Sequence, residues 1–210
     1  MRSVREIQIA GALVAAVAFC LTGIAAAAQY GGGSGTAADP YPIWTAEQMN
    51  AIGAEPNDWD KHFKLMADID LSALPETSFG GIGTGETPFI GVFDGNRHTI
   101  ANFFYRGVAP GHTSPGFGFF RVVGDDSLGS RGEIRDLSLV DADVDVLGGY
   151  GVGLLVGYLD DRAMVANCRA SGKAAGSWAV GGLLGFLQGT AHVVGCCATA
   201  VVTGKEAVGG

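Results

Sequence analysis

Basic residues are scarce in this chain: 13 Lys and Arg stand against 21 Asp and Glu, for a formal net charge of −8. No Lys/Arg cluster interrupts that balance, which argues against nucleic acid as a partner and against acidic polysaccharides unless metal ions intervene. Catalytic signatures are missing as well: there is no H-E-x-x-H, no G-x-S-x-G, no phosphate-binding loop and no dinucleotide fingerprint. His62, His98, His112 and His192 share no spacing that would suggest zinc. No apolar run in the C-terminal third reaches the ten or more residues of a clear amphipathic helix, which argues against helical repeats.

What the chain has in quantity is glycine, 35 residues of 210, and its C-terminal third repeats. Residues 152–179 lie over 180–207 without a gap, with identities that include Gly153/Gly181, Leu155/Leu183, Gly157/Gly185 and Cys168/Cys196. A third copy opens at Val208-Gly209-Gly210. A repeat of this length calls for stacked units that bury a shared core. Short apolar runs separated by Gly, Asp, Gln and Thr make each unit a rung of short strands; three strands with their turns fit the length, whereas a propeller blade needs about 40 residues. The expected fold is all-β: a right-handed parallel β-helix with a short N-terminal capping helix. The glycines are expected where φ is positive or where a side chain would not fit the narrow coil.

The stretches Val180-Gly181-Gly182-Leu183-Leu184-Gly185 and Val152-Gly153-Leu154-Leu155-Val156-Gly157 resemble the GLUG motif of bacterial surface and secreted proteins. Pro88 to Ile100 resembles the segment that leads into such repeats, and Leu154 departs from the pattern where a second glycine is usual. The resemblance spans residues 41–210. It implies a tandem-repeat architecture within large Gly-rich extracellular proteins, some of them adhesins and some carrying a peptidase elsewhere in the chain.

Arg2, Arg5, the apolar run Ile9 to Ala27 and Ala26-Ala27-Ala28 before Gln29 have the form of a signal peptide over residues 1–28. Gly11, Thr22 and Gly23 make the same run a poor membrane anchor, and Phe19 spoils a lipoprotein signal at Cys20. Cleavage would leave a mature chain from Gln29 to Gly210 with no membrane span. Residues 29–40 read as a flexible leader, and 41–151 as an N-terminal cap with early rungs. The cap is assigned to Trp44, Trp59 and a helix over Ala46 to Ile52, with Thr45 and Gln48 as its capping box. Phe63, Leu65, Ala67, Ile69 and Leu71 alternate with polar residues as one half-buried strand, and Asp94-Gly95 reads as a hairpin turn with His98 to Phe103 returning. Gly118 and Gly153 lie further apart than one repeat, so that rung carries a longer turn near residues 125–132.

Asp141, Asp143 and Asp145 put three carboxylates on one strand face at intervals of about 6.6 Å. They are the only metal candidates, with calcium the ion in question, and a straight strand cannot wrap calcium alone. No cofactor is expected. Cys168 and Cys196 stack at about 4.8 Å if the coil is regular, within disulfide reach. In-register side chains point parallel, which favours a ladder of free thiols with Cys197 facing outward.

These observations lead to a non-catalytic structural or adhesive module of an exported protein, extracellular or on the cell surface, that offers a rigid surface to glycans or surface proteins. The alternative is a carbohydrate-active β-helix enzyme, a polysaccharide lyase or glycosidase, using surface Asp residues. The apolar copy at 180–207, followed at once by a third opening, creates the expectation of further repeats or domains downstream.

Overall fold

The computed structural model describes residues 29–75, 79–109, 115–125 and 131–209. The signal peptide and its cleavage site, Cys20, His112 and Gly210 lie outside the described residues. In chain order the elements are β1 (Tyr41–Ile43), α1 (Ala46–Ala54), β2 (His62–Leu65), β3 (Ile69–Asp70), β4 (Val92–Asp94), β5 (Thr99–Ala101), β6 (Phe104–Val108), β7 (Pro115–Phe117), β8 (Phe120–Val123), β9 (Glu133–Arg135), β10 (Ser138–Leu147), β11 (Tyr150–Gly153), β12 (Val156–Leu159), β13 (Met164–Ala166), β14 (Arg169–Ala175), β15 (Trp178–Gly181), β16 (Leu184–Leu187), β17 (His192–Val194), β18 (Cys197–Thr203) and β19 (Glu206–Gly209). Apart from β5 and β6, which both pair with β10, consecutive strands of a rung go to different sheets, and every pairing between rungs is parallel. The result is a parallel β-solenoid.

A repeat contributes four strands rather than the expected three: β11, β12, β13 and β14 are followed by β15, β16, β17 and β18. Four sheets run along the axis: β1-β2-β4-β9-β13-β17; β3-β5-β10-β14-β18, with β6 also on β10; β7-β11-β15-β19; and β8-β12-β16. Val156 faces Leu184, one repeat further along the chain. Glu133 faces Met164 across a longer offset, and Val92 faces Glu133 across a longer one still. Insertions between strands therefore lengthen the earlier rungs without disturbing the sheets.

The core is a set of inward ladders. Tyr41, Phe63, Phe93, Ile134, Val165 and Val193 follow one another in register down the first sheet. Phe63, Phe89, Phe93, Phe103, Phe119 and Phe120 are all fully buried, and their rings meet at centroid distances such as 5.3 Å for Phe93 and Phe120. Each such side chain contributes about 1.5–3 kcal/mol by leaving water. Toward the later rungs Val, Ala and Cys replace Phe in the interior.

The repeat glycines stand where neighbouring backbone comes too close for a side chain. A Cβ on Gly157 would lie 2.1 Å from the Phe117 backbone nitrogen, and one on Gly185 would lie 2.3 Å from the Gly151 carbonyl carbon. Gly153 and Gly181 would collide with the Val156 and Leu184 carbonyl oxygens across the tight arch between the third and fourth sheets. Leu155, between two of these glycines, is fully buried, and its counterpart Leu183 packs partly buried on the same core.

Three local expectations are corrected. Residues 63–71 form two strands, β2 and β3, in different sheets, because the alternation continues through a corner at Met66 to Asp68. Asp94-Gly95 does not close a hairpin: β4 and β5 pair with neighbouring rungs instead. Gly95 is required there because a Cβ would meet the Asp136 carbonyl oxygen of the next rung at 2.5 Å. Residues 29–40 are not a free leader. Tyr30 is buried, its ring 4.7 Å from Tyr41, and its hydroxyl donates to Asp58 Oδ2 at 3.0 Å.

The cap itself follows its sequence signals. Thr45 Oγ1 accepts from Gln48 N–H at 3.3 Å, while Gln48 Oε1 reaches back to Trp44 N–H at 2.7 Å. The helix runs past the expected Ile52 to Ala54 before Pro56. Met49, Ile52 and Trp59 are buried over the first rung, and Trp59 Nε1–H donates to the Ile52 carbonyl at 2.7 Å. Trp44 is 49% exposed and contributes less to this cover than expected.

Candidate functional site

The aspartate series lies on β10, where the strand changes partners. Residues 138–140 pair with β5, residues 143–147 pair with β6, and the register against β14 shifts between Leu139 and Ala142. Asp141 takes up the irregularity with φ of 54°. Beyond it, Arg106 Nη1 donates to Asp145 Oδ2 at 2.8 Å and Arg106 Nη2 to Asp143 Oδ2 at 3.3 Å, with the guanidinium 4.9 Å from the Phe104 ring centre. The cation on this face is thus a side chain of the neighbouring rung. Among the described residues no three metal-ligating side chains are gathered. Asp141 and Asp143 border a shallow cavity of about 270 Å³ with Ser72, Asn102 and Phe104.

Other carboxylates are also committed to partners. Arg135 bridges Asp94 at 3.0 Å and Glu133 at 2.8 Å. Asp68 and Asp70 tie successive rungs together. Asp68 accepts from Thr99 N–H at 2.8 Å and lies 3.1 Å from His98 Nδ1, and Asp70 accepts from Asn102 Nδ2 at 2.7 Å. Those donors hold both carboxyl groups below the usual carboxylate range, Thr99 N–H contributing most at Asp68 and Asn102 most at Asp70. A pair of unengaged carboxylates of the kind glycoside hydrolysis requires does not emerge from these groups.

Cys168 and Cys196 form the expected thiol ladder. Cys168 N–H donates to Cys196 Sγ at 3.3 Å, and Cys168, Cys196 and Cys197 are free thiols. Cys168 is fully buried, and burial pushes its thiol up to about 12, whereas Cys197 is exposed.

An outward aromatic group escapes the sequence reading. Tyr150 stands opposite Trp178 on the third sheet, and Tyr158 stands opposite Phe186 on the fourth. The Phe186 ring lies 5.5 Å from Tyr150 and is stacked at 5.2 Å on Tyr158. Their partial exposure sets them apart from the core, which is filled here by Val152, Val180, Val156 and Leu159. Tyr150, Tyr158 and Phe186 are half-buried, and Trp178 is 37% exposed. Tyr158 donates its hydroxyl to Gln188 Oε1, and desolvation, with Asp160 adding to it, holds its phenol above the ordinary tyrosine value. The signal is present in the repeat, since Tyr150/Trp178 and Tyr158/Phe186 are each one period apart, but only the outward direction of these positions separates them from core aromatics.

Fold and site together define a Gly-rich parallel β-solenoid with an aromatic outer face. The family model described as "The GLUG motif" matches residues 148–175. Halomucin from Haloquadratum walsbyi is 32% identical over 152 residues, covering 69% of this chain but 2% of that protein. A protein of Evansella cellulosilytica described as a Gly-rich membrane protein is 32% identical over 132 residues, 61% of this chain and 14% of that one. The chain therefore corresponds to a small part of either relative. A Bacteroides ovatus crystal structure described as an immunoglobulin A1 protease aligns with a TM-score of 0.46 and 18% identity over 85% of this chain and 77% of that one. No helix among the described residues is long and apolar enough to cross a membrane.

Proposed function

We propose that this chain is a non-catalytic structural and adhesive module of an exported protein, located outside the cell or on its surface, and that its outer face contacts glycans. The observation that carries the glycan assignment is the ladder of Tyr150, Trp178, Tyr158 and Phe186. Half-buried and exposed aromatic rings held in register on a rigid sheet offer the apolar faces of sugar rings a contact surface at little cost in side-chain entropy. Gln188 beside Tyr158 adds an amide for sugar hydroxyls. The GLUG match and the likeness to Gly-rich relatives support a surface location, and residues 1–28 supply the export signal in this reading.

Affinity electrophoresis through gels containing neutral polysaccharides tests it. The wild-type chain is expected to be retarded in at least one of them, and Trp178→Ala and Tyr158→Ala much less so. Equal mobility of the wild type and both variants in every gel would remove the glycan assignment.

A further inference from the structure

We infer a second binding site, for the acidic group of a carboxylated or sulfated sugar, between the turns that precede β9, β13 and β17. There a cavity of about 290 Å³ is lined by Arg131, Glu133, Arg162, Met164, Thr190 and His192, with Gly132 at its wall. The residues form two ladders. Glu133, Met164 and His192 follow one another in register on the first sheet. Arg131, Arg162 and Thr190 each stand two positions earlier, on three successive turns. Two arginines of adjacent rungs thereby line one opening.

The net charge of −8 disfavours acidic polysaccharides over the surface as a whole, and this opening is a local exception with two arginines in its lining. Neither Arg131 nor Arg162 has an ion pair among the described residues. The nearby carboxylates are engaged elsewhere: Glu133 accepts from Arg135 Nη1 at 2.8 Å, and Asp161 accepts from the Thr190 backbone and hydroxyl. Arg162 is moreover held at φ of 61°, a left-handed conformation that suits glycine better than a long side chain. Two guanidinium groups lining one opening can share an oxyanion, which each can grip with paired N–H donors.

The surroundings favour a sugar over a peptide. Arg162 and Met164 belong to the middle of the opening, where β13 is paired on both sides with β9 and β17 and offers no edge for peptide addition; the one open edge is that of β17, the last strand of the sheet. Met164 is the one large apolar group in the lining, too little to anchor a folded partner. The volume suits one monosaccharide-sized unit. This site is on a different sheet from the aromatic ladder and does not depend on it.

The test is calorimetric titration of the full chain with an oligogalacturonate and a sulfated oligosaccharide, against their uncharged counterpart and an oligoglutamate peptide. Inorganic sulfate serves as competitor. Binding of at least one acidic sugar is expected, with about tenfold weakening in Arg131→Ala and in Arg162→Ala, no change in Lys205→Ala, and sulfate competing only at far higher concentration. Arg162→Gly separates binding from folding: it relaxes the turn, so the melting temperature should rise while affinity falls. The proposal is overturned if the arginine variants bind acidic sugars as the wild type does, if the uncharged sugar or the peptide binds as tightly, or if sulfate alone accounts for the affinity. Trp178→Ala should leave this binding intact, which distinguishes its failure from failure of the glycan assignment above.

Discussion

Two residue positions show how burial and backbone conformation set chemistry in a narrow coil. Thiolate, rather than thiol, reacts with alkylating agents, and burial pushes the Cys168 thiol up to about 12 while Cys197 is exposed. Native protein treated with iodoacetamide at pH 8 without reductant is expected to be labelled first at Cys197, and at Cys168 only after denaturation. Peptide mapping checks this, and a cross-linked Cys168–Cys196 peptide would contradict the thiol ladder. Ala179, with φ of 50°, occupies the turn position held by Gly151 one rung earlier. Ala179→Gly is therefore expected to stabilise the chain by up to about 1 kcal/mol in urea unfolding, despite glycine's entropic cost. Loss of stability would mean that the turn tolerates alanine without strain.

At the scale of elements, corners and turns decide what is legible. The repeat can be read because residues 152–207 carry no insertion, and its glycines and leucines fall where the tight arch needs them. The earlier rungs resist reading because the longer offsets from Val92 to Glu133 and from Glu133 to Met164 hide the periodicity. A local rule then fills the gap, and Asp94-Gly95 reads as a hairpin although its glycine answers to the Asp136 carbonyl of the next rung. Site residues behave similarly. The spacing of Asp141, Asp143 and Asp145 is visible, but Arg106 lies on a different rung, far in sequence from its two partners at 143 and 145. Tyr30 looks like linker sequence until Asp58 and Tyr41 are placed beside it.

The corner carboxylate Asp68 makes an element-scale prediction. Its acidity is enhanced in the fold, first by Thr99 N–H and then by His98. A carboxyl group with a depressed folded-state value stabilises the fold above its unfolded value of about 3.9 and loses that contribution as pH falls through the lower folded value. Asp68→Asn should therefore melt below the wild type at pH 7, with the gap closing as the pH is taken below about 3.9. A gap that stays constant with pH would show that the carboxylate's charge is not what links β3 to β5.

The whole molecule is a stack in which one direction of each strand builds core and the other builds surface, and the sheets carry that surface along the axis. The central claim is that the surface of the third and fourth sheets receives sugar through its aromatic ladder. Tryptophan fluorescence reads it most directly, since Trp178 belongs to the ladder while Trp59 is buried. In a Trp44→Phe background, titration with the polysaccharide that retards the protein should give a saturable change in intensity and emission wavelength. That change should vanish with Trp178→Phe and weaken about tenfold in apparent affinity with Tyr158→Ala. A saturable change that survives Trp178→Phe, or no change at concentrations that retard the protein in gels, would contradict the account.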